Sequence, residues 1–141
     1  MGEQGVERFG VSMPAGLLAD FDRLIRRRGY GNRSQAIRDL VREHLVAHEW
    51  EGGQGQVVGT VTLVYDHELP DLAHQLADLQ HQGQGAVICS THVHLDQHNC
   101  LEVVVLRGLV AQVRAIADRL IATRGVKHGK LICSTTGRRL A

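Results

Sequence analysis

The sequence predicts an α+β protein made of two units, because the pattern of apolar residues changes along the chain. Residues 8–45 show the pattern of one strand followed by two helices, whereas residues 57–134 alternate strands and helices in the order βαββαβ. Between them, residues 51–56 (EGGQGQ) are glycine-rich and lack apolar side chains, which is typical of a linker. We therefore expect one domain over residues 1–51 and a second over residues 57–141.

Composition narrows the class of protein. Hydrophobic residues make up 43% of the 141 residues and charged residues 22%, as in ordinary globular proteins. The net charge of +1 gives no general basic character, so any nucleic-acid binding must come from a local arrangement of side chains. No apolar run is long enough to span a membrane, and the first residues do not resemble a signal peptide. Three cysteines, an odd number, argue against a disulfide framework and favour a reducing cytoplasm.

The first unit contains a single predicted strand, over residues 8–13. Its apolar face carries Phe9, Val11 and Met13, and its other face carries Arg8, Gly10 and Ser12. One strand alone can neither satisfy its backbone hydrogen bonds nor bury its apolar face. We therefore expect it to pair with its twin in a second chain, which makes the protein an obligate dimer.

Two helices are predicted to follow this strand. Pro14 ends the strand and suits the first turn of a helix, which helical spacing of apolar residues extends over residues 15–28. Gly29 suits the left-handed conformation that commonly ends a helix. Asn32 suits the N-cap of the next helix, with Gln35 as its capping-box partner. Strand, helix and helix together match a ribbon-helix-helix module, whose ribbon enters the DNA major groove. A generic helical dimerisation module is the alternative.

The second unit is predicted to be ferredoxin-like, with an antiparallel sheet and both helices on one face. Strands are expected over residues 57–65, 86–95, 100–107 and 127–134, and helices over residues 69–82 and 109–123. In the central hairpin, the face with Leu101, Val103 and Val105 is the richer in apolar residues, so we expect it to meet the helices. The opposite face, which includes Ile88 and Val104, would then be left for another subunit.

The hairpin also carries the clearest chemical motif, His92-Val93-His94-Leu95-Asp96-Gln97-His98-Asn99-Cys100. Side chains alternate along a strand, so His92 and His94 point the same way. A tight turn around residues 96–98 sets Cys100 opposite His94 and Glu102 opposite His92. Two imidazoles and a thiolate suit Ni(II), Cu(II) or Zn(II) better than Mg or Ca. The alternative is that these are unrelated polar residues on a solvated edge strand.

Three donors leave a fourth coordination position, which a water or a side chain from a neighbouring subunit could fill. His81 lies at the end of the helix before the hairpin and is the best-placed candidate. A histidine at a helix end equally suits a solvated position that the helix dipole favours. The residues themselves leave this choice open.

Three motifs in combination resemble the NikR family of nickel-responsive transcription regulators: RRGYGNRSQAIRDL, HVHLDQHNCLEVVVLRG and IATRGVKHGKL. The similarity covers the chain from Arg8 to about Cys133. It implies a ribbon-helix-helix DNA-binding domain and an ACT-type regulatory domain that forms a homotetramer, a dimer of dimers. It also implies one square-planar Ni(II) site per subunit, built from His92, His94 and Cys100 of one subunit and His81 of another.

The resemblance implies a repressor whose binding to an inverted-repeat operator is promoted by nickel. The expected DNA contacts are Arg8, Gly10, Ser12, Arg33 and Ser34. Arg8 would read bases with Ser12 secondary, and Arg33 would hold phosphate. Family members often carry threonine at the position of Gly10. Glycine has no side chain that could bond to a base. Many carry glutamate at the position of Gln35. The neutral side chain of Gln35 supplies less charge than glutamate would, which weakens a second cation site here.

Two other functions fit parts of the pattern. A ribbon-helix-helix repressor could use its ferredoxin-like domain to sense another metal or a small molecule. An enzyme could use a His-His-Cys metal to activate water, but it would need an open coordination position and a general base. Glu102 is the only nearby carboxylate that faces a suitable way. A sheet face buried by another subunit leaves little room for a substrate, so the sequence favours a regulator that is not an enzyme.

Overall fold

A computed structural model describes residues 5–83 and 85–140. The chain divides into two compact units, one that includes residues up to Leu45 and one that runs from Val46 to Arg138. The described elements follow the order α1, α2, β1, α3, β2, β3, α4, β4.

The first unit contains α1 (Ala15–Arg27) and the start of α2 (Arg33–Gly52). Gly29 adopts a left-handed φ of 80°, and the N–H of Tyr30 donates to the carbonyl of Ile25 at 3.0 Å. That bond is the long one of a Schellman motif, and the left-handed Gly29 is the residue that the sequence predicted for this helix end. The side chain of Asn32 accepts from the backbone N–H of Gln35 at 2.8 Å, so Asn32 caps α2 as expected.

The predicted strand over residues 8–13 is not a strand in this single chain. A strand exists only when another strand supplies hydrogen-bond partners, and the described part of this unit contains no other. Its apolar side chains are exposed, including Phe9 at 75%, and so are apolar residues of both helices: Leu17, Leu24, Leu40, Val41 and Leu45. A face of this unit therefore stays uncovered in one chain.

Helix α2 extends further than the sequence suggested, to Gly52, because Trp50 anchors its end in the second unit. The indole of Trp50 is buried, and its Nε1 donates to the carbonyl of Ser134 at 2.8 Å. The guanidinium of Arg114 lies 5.2 Å from the centre of its ring. The predicted linker over residues 51–56 is therefore shorter in the structure. Its first two residues belong to α2, its last residue begins the first strand of the second unit, and only residues 53–55 belong to neither element.

The second unit is a four-stranded antiparallel sheet with two helices, so the predicted α+β class and the element order βαββαβ are confirmed. Its elements are β1 (Gln56–Asp66), α3 (Leu72–His81), β2 (Val87–His94), β3 (Asn99–Leu109), α4 (Val110–Ile121) and β4 (Val126–Cys133). The strands lie in the order β2-β3-β1-β4. Helix α3 begins three residues later than predicted, because Leu69 precedes a proline and Asp71 has a left-handed φ of 64°.

The expected assignment of sheet faces is wrong. The buried side of β3 carries Cys100, Glu102, Val104 and Leu106, and it is this side that α3 and α4 cover. The side with Leu101, Val103 and Val105 is only half-buried. The central strand β1 decides the matter, because its buried residues pair in register with the buried residues of β3, as Leu63 does with Glu102. The hairpin is apolar on both sides, so counting its own residues could not show which side the helices cover.

Candidate metal centre

The β2–β3 hairpin has the register that the sequence predicted. His94 pairs with Cys100, and His92 pairs with Glu102. The turn is held by the carboxylate of Asp96, which accepts from the side chain of Asn99 and from the backbone N–H groups of His98 and Asn99. These bonds, led by the one from the Asn99 side chain, lower the pKa of Asp96 to about 2. A charged, well-bonded turn therefore sets the two strands in place.

The pairing brings a thiol and an imidazole together. The Sγ of Cys100 lies 3.6 Å from the Nδ1 of His94. Cys100 is fully buried, and burial, with the nearby carboxylate of Glu102, raises the pKa of its thiol. The thiol is therefore protonated in the metal-free chain, and a metal must displace its proton to bind the sulfur. His92 and His94 are both exposed at this end of the sheet.

A buried hydrogen-bond network supports His92. The hydroxyl of Tyr65 donates to one oxygen of Glu102 at 2.9 Å, and the side chain of Gln80 donates to the other at 3.0 Å. The Tyr65 oxygen also lies 3.3 Å from the Nδ1 of His92. The hydroxyl proton of Tyr65 is engaged in the hydrogen bond to Glu102. The Tyr65 oxygen can therefore only accept from His92, so Nδ1 of His92 is the donor in that contact. This leaves Nε2 of His92 with a free lone pair, which is the arrangement that metal-binding histidines use.

The structure adds a residue that the sequence analysis did not place at the metal site, His67. Among the described residues, one group of three donors whose ligand atoms all lie within 4.8 Å is His67, His94 and Cys100. The rings of His67 and His94 meet edge to face, with centroids 5.1 Å apart. His67 follows directly after β1, and β1 lies beside β3, so the sheet order brings it to the hairpin. No local sequence signal carries that information.

The other predicted ligands lie outside this group. The rings of His92 and His94 are 5.4 Å apart, and His92 does not join the group. His81, the last residue of α3, is exposed and does not join it either. A second group, Asp66, Glu68 and His98, contains an exposed ion pair of 2.7 Å between Glu68 and His98 that raises the pKa of His98. That ion pair accounts for the cluster.

The predicted DNA contacts lie in the first unit. Arg8, Gly10 and Ser12 are exposed, and a Cβ at Gly10 would meet nothing within 4 Å. Arg33 and Ser34 begin α2 and are also exposed. Arg33 is engaged, because its guanidinium makes two hydrogen bonds to the carboxylate of Asp22, at 2.8 and 2.9 Å. These bonds lower the pKa of Asp22.

Two family models match the chain. The NikR C-terminal nickel-binding domain matches residues 58–134, and the ribbon-helix-helix protein of the copG family matches residues 7–47. The chain belongs to the NikR family of nickel-responsive regulators. The predicted family is thus confirmed, and membership of NikR makes the protein a regulator with a ribbon-helix-helix domain and not an enzyme.

Relatives of nearly equal length support the assignment to NikR. The chain is 53% identical to a protein of Thermococcus onnurineus assigned as a nickel-responsive regulator, over 96% of this chain and 98% of the relative. Proteins of the same assignment from Pyrococcus furiosus and Geobacter metallireducens are 52% and 54% identical, over 95% and 94% of this chain and 97% and 96% of theirs.

Structural comparison adds a likeness of fold alone. A solved, uncharacterised protein of Thermotoga maritima is similar with a TM-score of 0.50 and 15% identity, over 56% of this chain and 98% of that one. A search of the described residues of this NikR chain finds no helix that combines the length and apolar character needed to cross a membrane.

Proposed function

We propose that this NikR-family protein is a sequence-specific repressor in which Ni(II), bound at a subunit interface, promotes operator binding. The observation that carries the proposal is the contact between the buried Cys100 thiol and His94, beside a second histidine, His92, whose Nδ1 lies 3.3 Å from the Tyr65 hydroxyl. Nitrogen and thiolate donors suit nickel. When bound, nickel would link these three residues to His81 of another subunit, with one ion per subunit.

The position of His81 supports its role as a ligand from a neighbour. It is exposed at the end of α3, outside the donor groups that the described residues form within one chain. It directly follows Gln80, which bonds to Glu102 and so reaches the network around its own His92. Fixing His81 in a neighbour's site would therefore also restrain the surroundings of the chain's own ligands. This gives nickel a physical route to favour one arrangement of the subunits.

Two uncovered apolar surfaces support a homotetramer, a dimer of dimers. The outer face of the sheet carries half-buried Leu101, Val103 and Val105 beside exposed Val93 and Ile132. A sheet face of this character is suited to pack against a second copy. In the first unit, a groove lined by Phe9, Met13, Phe21 and Ile37 stays open in one chain. The N-terminal segment of a partner would fill it and form the two-stranded ribbon.

We propose that the ribbon reads double-stranded DNA at an inverted repeat, through Arg8, Gly10 and Ser12. Arg33 and Ser34 would hold phosphate at the N-terminus of α2. Arg33 can do so while paired with Asp22, because the carboxylate uses two of the five N–H donors of the guanidinium. The proposed domains are residues 1–51 for DNA and residues 57–141 for metal and assembly. A repressor acts where the chromosome is, so we propose a cytoplasmic location.

Operator binding tests the metal assignment. Selection from random DNA with the nickel-treated protein supplies a probe, and fluorescence anisotropy then measures its affinity with and without Ni(II). We expect Cys100→Ala to lose the gain in affinity that nickel gives to the wild type, while keeping its oligomeric state. The matched control is Cys89→Ala, since Cys89 pairs with Val105 on the opposite, outer side of the hairpin. A nickel-dependent curve for Cys100→Ala that equals the wild type would overturn the assignment.

The same assay separates the roles of the two units and identifies the metal. We expect Arg8→Ala to bind nickel normally but to lose operator affinity, since its side chain lies outside the metal centre. A full-strength footprint from Arg8→Ala would contradict the ribbon as the reading element. Cu(II) and Zn(II), added in turn to the wild type, show whether nickel or another ion gives the largest gain.

A further inference from the structure

We propose that Asp22 is a positioning residue for DNA, which fixes the guanidinium of Arg33 so that it binds an operator phosphate in one set geometry. The inference rests on the proposed function and deepens it, because it assigns a role to a carboxylate outside the expected DNA contacts. Its consequence is selectivity, since a fixed guanidinium favours the operator complex over loose binding to any other DNA.

Asp22 holds Arg33 by two parallel hydrogen bonds. Nε and Nη2 of the guanidinium donate to the two carboxylate oxygens, at 2.9 and 2.8 Å. Two bonds between planar groups fix both the plane and the direction of the guanidinium, whereas a single bond would let it turn. These bonds lower the pKa of Asp22 and raise the pKa of Arg33, so both groups are charged at neutral pH.

The pairing leaves the outer edge of the guanidinium open. Asp22 uses one donor on Nε and one on Nη2, out of the five N–H donors of an arginine. Both donors of Nη1 and the second donor of Nη2 remain after this pairing, and they form an edge that can bind a phosphate in fork geometry. The side chain of Arg33 is 56% exposed and that of Asp22 is 28% exposed. The carboxylate is therefore the covered partner, and the guanidinium faces solvent.

The pair lies beside the residues that are expected to read bases. Arg33 is the first residue of α2, and it lines the same open groove as Arg8 and Ser12. A second arginine, Arg26, donates its Nε to the backbone carbonyl of Asp22 at 3.1 Å, so that bond does not compete for the carboxylate. The carboxylate of Asp22 is thus left to orient Arg33 at the edge of the proposed DNA surface.

The pair is poorly suited to be only a structural tie between the helices. Exposed ion pairs contribute little to folding stability. The ends of the two helices also have bonds of their own, at the left-handed Gly29 and at the Asn32 cap. What the pair does restrict is the rotamers of Arg33, a long side chain that otherwise loses much freedom on binding. This freedom is already restricted before DNA arrives, so a phosphate binds at a lower entropic cost.

Such a restriction favours one kind of DNA complex. In an operator complex the base contacts fix the register, so each phosphate meets the protein at a set position. On random DNA the protein slides, and its basic side chains act as mobile charges. Orientation gains nothing there, and a carboxylate near the phosphates is repulsive. Asp22 should therefore raise the ratio of operator affinity to random-DNA affinity.

Fluorescence anisotropy of the nickel-loaded full-length protein tests the proposal, with the selected operator and a random duplex of equal length as probes. We expect Asp22→Asn to weaken operator binding about fivefold and to leave random-DNA binding equal or stronger. Asp22→Glu keeps the charge and both oxygens, so it should restore most of the operator affinity. The matched control is Asp20→Asn, which removes an exposed carboxylate that pairs with Arg23 on the same helix. It should leave the affinity ratio unchanged.

A double-mutant cycle shows whether Asp22 acts through Arg33. Arg33→Ala alone should weaken operator binding, and adding Asp22→Asn to it should cause no further loss. Arg33→Lys keeps the charge but not the fork, so it should lose selectivity in the same way, even if Asp22→Asn unfolds. Urea unfolding of the DNA-free protein checks that each variant is folded.

The positioning role is overturned if folded Asp22→Asn binds the operator as tightly as the wild type, or weakens operator and random DNA equally. It is also overturned if the loss persists in the Arg33→Ala background. Those results would leave nickel-dependent operator binding by the wild type intact. Failure of the proposed function would look different, because the wild type itself would then show no nickel-dependent operator binding.

Discussion

Replacing Tyr65 by phenylalanine removes one hydroxyl from the network beside the candidate metal centre. That hydroxyl donates to Glu102 at 2.9 Å and lies 3.3 Å from His92. The phenyl ring fills the same buried space, so the change leaves packing nearly intact and isolates the hydrogen bonds. Glu102 keeps its bond from Gln80 at 3.0 Å but loses the other. His92 loses the oxygen that accepts its Nδ1 proton.

The size of the effect follows from these two losses. A hydrogen bond to a charged group contributes about 1.5–3 kcal/mol, and Glu102 is the one charged side chain in the core among the described residues. Because Gln80 still bonds the carboxylate, we expect the free energy of unfolding to fall by about 2 kcal/mol. Loss of the group that orients a metal-binding histidine typically weakens metal affinity about 10- to 100-fold. We expect the same rise in the nickel dissociation constant.

Chelator competition measures the nickel dissociation constant, and urea unfolding of the metal-free protein at fixed concentration measures stability. The matched control is Tyr30→Phe, because the hydroxyl of Tyr30 also bonds a carboxylate, that of Asp39, but lies in the first unit. The control should leave nickel affinity unchanged. If Tyr65→Phe lowered stability but bound nickel as tightly as the wild type, the network would be structural only, and our account of His92 would be refuted.

Three further predictions concern other parts of the molecule. Trp50→Ala should lower the free energy of unfolding by about 3–5 kcal/mol in urea without changing nickel affinity, since the buried indole is lost; a small loss would contradict its role as an anchor for α2. Val103→Asp should reduce the mass of the assembly in analytical ultracentrifugation while circular dichroism stays native; an unchanged mass would exclude the outer sheet face as a contact. Asp96 has its pKa lowered from 3.8 to about 2, so it contributes stability that is present above pH 3.8 and lost as pH falls through 2. The stability advantage of the wild type over Asp96→Ala should therefore shrink over that range, and a constant difference would contradict the turn assignment.

Features that depend on neighbours in sequence could be predicted from the sequence. The ends of the first two helices follow from Gly29 and Asn32, whose backbone preferences and side-chain bonds act within a few residues. The pairing of His94 with Cys100 follows from side-chain alternation and the length of the turn. The position of His81 at the end of the helix before the hairpin made it a candidate, and the resemblance to NikR alone favoured it as an interface ligand, because it does not join the donor group within one chain.

By itself, the sequence determined the family, the order of elements and the register of the β2–β3 hairpin, because these depend on local backbone preferences and on motif spacing. Only the tertiary structure decided which side of the sheet the helices cover, and that His67 lies beside Cys100. Both depend on the central position of β1, which brings residues more than thirty positions apart into one register. Neither face of the hairpin is polar enough to reveal this, so packing of the whole unit settles the choice.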